Sequence, residues 1–186
     1  MLSTPATKII YFYTELNPQI RQIGTYPRVE LRKDFDPDVV EDHVDGSHLW
    51  IIVDDHILKP VYRELADIFC IKSRSRNVSV TILSQNLYSK AAPESSKFYR
   101  EILINTSVTI LFCNKQDRTI VTSLAKTAFA NKYHYFVESY QKACELDPSG
   151  HGYLCIRTAP GVSKKVELST KIFFQTEHTI LFWERK

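Results

Sequence analysis

The sequence predicts an α/β fold, a mostly parallel central sheet flanked by helices, and three observations carry that prediction. Strand-like apolar runs alternate with stretches of helical spacing, which implies crossover connections and parallel pairing. One run, Leu49 to Val53, is apolar at every position, the pattern of a strand covered on both faces. Polar residues follow the strands: Asp54 and Asp55 end one run, Gln85 and Asn86 follow the next. Ligands of such sheets bind outside the carboxyl ends of the strands.

Taken in order, Lys8 to Tyr13 (KIIYFY) reads as a buried strand and Arg28 to Leu31 as a short second one, with Pro18, Gly24 and Pro27 marking the loop between them. The acidic stretch Asp34 to Gly46, with two adjacent valines, reads as a weak helix or an exposed loop. After the Leu49 to Val53 strand the spacing becomes helical from Ile57. Leu58, Val61, Leu65, Ile68 and Phe69 fall on one face, and Pro60 sits in the first turn, where its missing N–H costs nothing. Val78 to Leu83 and Val108 to Cys113 are the next strands. Asp117 is placed to cap a helix from Arg118 to Ala130, with Ile120, Leu124 and Phe129 as its apolar side. A further helix over Tyr135 to Glu145 stops at Asp147-Pro148, and Gly152 to Ile156 is again strand-like. Residues 1–160 thus form one core and 161–186 an extension, whose Phe173-Phe174 and Phe182-Trp183 suit a strand hairpin or an edge extension.

Composition narrows the function classes. With 186 residues, 44% hydrophobic and 12% aromatic, the chain can bury a core, which excludes wholesale disorder. A net charge of +3 neither demands nor excludes nucleic acid, so such a partner must rest on local patches. Cys70, Cys113, Cys144 and Cys155 lie far apart without finger spacing, which argues against zinc and for free thiols acting as small core residues. The N-terminus lacks a signal-like apolar stretch, and no segment reaches the roughly 18 apolar residues of a membrane span. An intracellular location, nuclear or cytoplasmic rather than secreted, and no membrane partner are the expectations.

The motifs point to phosphate chemistry. An acid ending a buried strand can hold Mg²⁺ through water, and a second acid beside it can orient the water that attacks a γ-phosphate. Asp54 suits the first role and Asp55 the second, although acids after a strand also begin turns or cap the next helix. Gln85 and Asn86 supply amides from the neighbouring strand end, able to reach a water or a phosphate oxygen. Lys72, Arg74 and Arg76, interleaved with serines, form a basic loop that either contacts DNA phosphates or is simply solvated. Arg100 and Arg118 flank the strand at 108–113, and each is a candidate arginine finger or a structural ion-pair partner. His56, His134, His151 and His178 have no nucleophile partner at a recognisable spacing. A metal-dependent nuclease would need more clustered acids and a lysine, where the neighbouring strand ends offer amides.

Four blocks, Trp50 to Asp55 (WIIVDD), Ser75 to Tyr88 (SRNVSVTILSQNLY), Ile104 to Asp117 (INTSVTILFCNKQD) and Gly152 to Ile156 (GYLCI), resemble those of the FtsK/HerA-type DNA-packaging ATPases of Polinton (Maverick) virus-like transposons and related large DNA viruses. The resemblance covers roughly residues 7–157. It implies a partial RecA-like P-loop NTPase core, Mg²⁺ and ATP as cofactors, and ATP-driven translocation of double-stranded DNA by a homo-oligomeric ring. It casts Asp54 and Asp55 as Walker B acids, with Asp54 the metal-side residue, and Gln85 as the polar sensor. Asn86, Asn105 and Asp117 match family-typical positions. The family's G-x-x-x-x-G-K-[ST] loop, which wraps the phosphates, begins at none of Gly24, Gly46, Gly150, Gly152 or Gly161. The chain therefore reads as the carboxyl part of a longer ATPase, inactive and without tight ATP binding alone. The alternative is a non-catalytic DNA-binding or assembly module that uses the basic loop at Lys72 to Arg76.

Overall fold

Four of the apolar runs pair with one another in parallel, and each is joined to a neighbour by a single helical crossover. In the computed structural model the described residues are 5–55, 62–84, 101–113, 118–147, 150–162, 167–172 and 180–182. They fall into two units, Met1–Ile102 and Leu103–Lys186, each with its own sheet and core. Among the described residues no helix is long and apolar enough to cross a membrane.

In the first unit β1 (Lys8–Phe12), β2 (Val29–Arg32), β3 (Leu49–Asp54) and β4 (Val78–Leu83) form an all-parallel sheet in the order β2-β1-β3-β4. Helix α1 (Pro18–Ile23) links β1 to β2; the Asn17 side chain accepts from the Ile20 N–H at 2.9 Å and Pro18 fills the first turn. Helix α2 (Tyr62–Asp67) links β3 to β4 and runs on through a π-helical turn, Ile68–Lys72, and a last α turn, Ser73–Ser75. One helix returns the chain to the end from which it started, so the next strand runs parallel to the last.

Side-chain alternation sets the core. Ile10, Phe12, Leu49, Ile51, Val53 and Val78 share one face with Val80 and Ile82, under Leu65 and Ile68 and beside Phe35, Val39 and Val40. Phe12 and Phe35 meet edge to face at 5.2 Å. Each such buried side chain contributes about 1.5–3 kcal/mol by leaving water. Val39 and Val40 of the acidic stretch belong to this core: Pro37–Val40 is a short 3-10 turn capped by Asp36, and residues 41–46 after it are a mostly exposed loop.

Besides helix α1, which occupies a stretch that the sequence presents as loop, two strand expectations need correction. The strand at 49–53 is fully covered on one face and partly on the other: Leu49, Ile51 and Val53 are buried, while Trp50 and Ile52 are half-buried beside the buried Tyr11. An unbroken apolar run does not say which positions face the core. Trp50 tolerates the half-open side because its Nε1–H donates to Thr81 Oγ1 at 2.9 Å.

The second correction concerns the strands at 108–113 and 152–156, which are not parallel. Here β5 (Val108–Phe112), β6 (Tyr153–Arg157), β7 (Leu168–Ser169) and β8 (Leu181–Phe182) make a separate antiparallel sheet in that order. Two helices, α3 (Arg118–Ala128) and α4 (Tyr133–Glu145), separate β5 from β6, joined by a 3-10 turn at Ala130–Lys132. Two successive helices reverse the chain once more than one does, so β6 returns antiparallel. Phe136, Ser139, Tyr140 and Ala143 give α4 its buried stripe against Leu124, Phe129, Leu154 and Leu168. Cys113 and Cys144 are bonded as a disulfide between the end of β5 and the last turn of α4, with Cα atoms 5.3 Å apart, rather than being two separate core thiols. Their 31-residue separation leaves no local spacing from which the pair could be read.

Candidate functional site

The acids at the end of β3 sit where the parallel ladder brings two strand ends together. Asp54 is registered with Leu83, the last residue of β4, and the Asp55 N–H donates to the Leu83 carbonyl at 3.1 Å, carrying the pairing one residue past the strand. Asp55 has φ of 53°, the left-handed region that Asp enters at modest cost, and there the chain leaves the sheet. The two acids are therefore unlike one another: Asp54 is half-buried in extended backbone, and Asp55 is exposed at a turn.

Strand β1 supplies the support. The Tyr11 hydroxyl donates to Asp54 Oδ2 at 2.7 Å, and Tyr11 is itself 5% exposed. Burial, and after it the Asp54 carboxylate, raise the pKa of the phenol well above its ordinary value, so it stays protonated and keeps donating. Thr14 Oγ1 lies 3.4 Å from the Asp54 carbonyl and 3.3 Å from that of Asp55, a long contact to both. At the end of β4 the Ser84 hydroxyl is buried with no partner among the described residues. A buried hydroxyl left so costs about 1–3 kcal/mol, which makes it a natural acceptor or donor for a bound group.

The basic loop is compensated from within the unit. Lys72 Nζ lies 2.6 Å from Glu41 Oε1, Arg76 lies 2.8 Å from Glu41 Oε2, and Arg76 also donates to the Glu41 carbonyl at 3.2 Å. The hydrogen bond from Lys72, more than any other interaction, holds the Glu41 carboxyl below its ordinary pKa. Beside it Asn77 takes a φ of 53° and its side-chain amide donates to the Gly46 carbonyl at 3.2 Å. Two of the three cations proposed for DNA thus face a carboxylate instead of solvent alone.

The other sequence-derived positions fall elsewhere. Asn105 ends a helical stretch over residues 101–105 and belongs to the second unit. Arg118 begins α3; its side chain and that of Arg74 lie outside what is described, as do Gln85, Asn86, Arg100 and Asp117 entirely. Among the described residues no group of three or more His, Cys, Asp or Glu is placed to hold a metal ion. Tyr11, Thr14 and Glu41 carried no local signal, because the partners of each lie 31 or more residues away and meet them only through the sheet register and the crossovers. No protein-family model matches the chain, and no curated protein matches it.

Proposed function

We propose that the first unit is the metal and water side of a RecA-like, FtsK/HerA-type DNA-packaging ATPase site, with the phosphate loop supplied by a segment outside these 186 residues. One observation carries this reading: the strand ending in Asp54 and Asp55 and the strand leading to Gln85 are adjacent, parallel and in register to their ends. This is the arrangement in which acids and an amide from neighbouring strands face one ligand.

The residues present fit the metal side of Mg²⁺–ATP and lack the phosphate side. Asp54, held by Tyr11, offers a carboxylate for a hydrated cation at the carboxyl end of β3. Bound Mg²⁺ would neutralise charge on the transferring phosphoryl group. In this reading Asp55, exposed at the turn, orients water, and Gln85, which lies outside the described residues, is the polar sensor. No G-x-x-x-x-G-K-[ST] occurs in the chain, so backbone N–H groups for the phosphates must come from elsewhere. β4 is paired on one side only among the described residues, and a strand added in parallel there would end beside Leu83, one strand away from Asp54. Translocation of double-stranded DNA by a ring of subunits is the activity that such a site would drive.

Titration calorimetry with Mg²⁺ and ATP tests this. The 186-residue chain alone should bind ATP weakly or not at all. Fused to a strand–loop–helix segment carrying the missing motif, it should bind, and Asp54→Ala in the fusion should weaken binding of the Mg²⁺ complex by about tenfold or more. Tight binding by the unfused chain, lost on Asp54→Ala, would overturn the incomplete-site reading. A fusion that binds ATP indifferently to Asp54→Ala would overturn the role of Asp54.

A further inference from the structure

We infer that Tyr11 is the positioning residue of the Asp54 carboxylate, fixing one of its oxygens so that the carboxylate meets a divalent cation in a single orientation. The inference rests on the reading of Asp54 as the metal-side acid and adds a residue to which that reading assigns nothing.

The geometry is specific. Tyr11 lies on β1, the strand that pairs with β3 on the side away from β4, in register with Ile52 two residues before Asp54. Parallel neighbours in register share a face, so Tyr11 and Asp54 project to the same side of the sheet, the side opposite the aliphatic core. A phenol spans the two-residue stagger, and its hydroxyl reaches Asp54 Oδ2 at 2.7 Å, the short distance of a bond to a charged acceptor. The ring is 5% exposed, which restrains its rotamer. A Phe at this position would satisfy the packing equally well. Among the described residues the hydroxyl bonds the acid, and ligating carboxylates are commonly oriented by such a second hydrogen bond. Thr14, two residues beyond the end of β1, sets its hydroxyl near the carbonyls of both acids, so the same strand braces the backbone of the turn as well.

Mn²⁺ serves as the probe, free of nucleotide, with binding to the full chain measured by electron paramagnetic resonance. Wild type should bind weakly and Asp54→Asn should lose that binding. Tyr11→Phe should weaken it by about tenfold, with the far-ultraviolet circular dichroism unchanged. Tyr140→Phe, which removes a hydroxyl bonded to the Phe112 carbonyl in the other unit, should leave affinity unaltered. Binding lost in Asp54→Asn but unchanged in Tyr11→Phe would overturn the positioning role and leave the metal reading standing. Binding unchanged in Asp54→Asn, or absent from wild type, would overturn the metal reading and Tyr11's role with it. In a second measurement Mn²⁺ should broaden the ring resonances of Tyr11 in wild type and leave them sharp in Asp54→Asn. Equal broadening in the two proteins, or none in wild type, would overturn the proposal.

Discussion

Glu41 takes two cations at once, and that limits what the basic loop can offer a polyanion. Lys72 and Arg76 each hold one of its carboxylate oxygens, at 2.6 and 2.8 Å. Glu41→Gln should free Lys72, loosen Arg76, which keeps its bond to the residue 41 carbonyl, and raise affinity for duplex DNA, with the salt dependence steepening by about 0.9 in the log–log slope for each cation that then neutralises a phosphate. Filter binding across a salt series reads this, and an unchanged slope would show that neither cation reaches DNA. Glu30 makes a similar bridge between β1 and β2, with Lys8 at 2.7 Å and Arg32 at 2.7 Å. The hydrogen bond from Lys8, then that from Arg32, holds its pKa below the ordinary value. A lowered carboxyl pKa adds stability above the unfolded value, near 4.3, that is lost as pH falls through the folded one. Because the pair is 40–48% exposed the effect is small, at most about 1 kcal/mol. Urea midpoints of wild type and Glu30→Gln should therefore differ near neutral pH and converge as the pH falls through the lowered pKa of Glu30.

At the scale of elements, β3 separates what periodicity conveys from what it does not. Ile51 is fully buried in the core and Ile52, its neighbour on the other face, is half-buried. Ile51→Ala should cost about 2–5 kcal/mol and Ile52→Ala clearly less, by denaturant unfolding. Equal costs would mean that the second face is covered too. The sequence alone presents these residues as one apolar run. Strand positions were legible because β-branched and aromatic runs bounded by turn residues are local signals; Val78–Leu83 coincides with its expected span and the others fall within a residue or two. The longer helices were legible from their apolar stripes, with Leu124 and Phe129 buried as their spacing required, whereas α1, a short helix between Pro18 and Gly24, read as loop. Strand direction was missed although both helices between β5 and β6 were legible from their spacing, because the alternation of strands and helices implies parallel pairing only where the helices in each connection are counted, and that one connection holds two. In the candidate site, Asp54 and Asp55 were readable from their place after an apolar strand. Tyr11 and Thr14 were not, because only the parallel register of β1 with β3 brings them there.

Across the whole molecule, both sheets end in strands that natural proteins ordinarily protect. β4 closes one side of the first sheet and β5 one side of the second, each paired on a single side among the described residues. The first sheet is parallel, a class normally covered on both faces, yet Trp50, Ile52 and Thr81 remain half-buried on one of them. The outward positions of β5 are Val108, Ile110 and Phe112, at 43%, 38% and 64% exposure, in a segment without charge. An edge strand with an apolar outer face and no lysine or proline to blunt it is a template for pairing with another chain. A net charge of +3 provides little repulsion to oppose it. The isolated chain should therefore self-associate as its concentration rises, seen as growth in sedimentation coefficient or light scattering. Ile110→Lys places a charge at the centre of that outer face, so it should restore the monomer without unfolding the second unit, since Ile110 lies outside the buried cluster around Phe136. If wild type instead stays monomeric and unfolds sharply and reversibly, the exposed β5 face is not an association surface. The reading of the first unit as one part of a larger ATPase would then lose the support that an uncovered sheet provides.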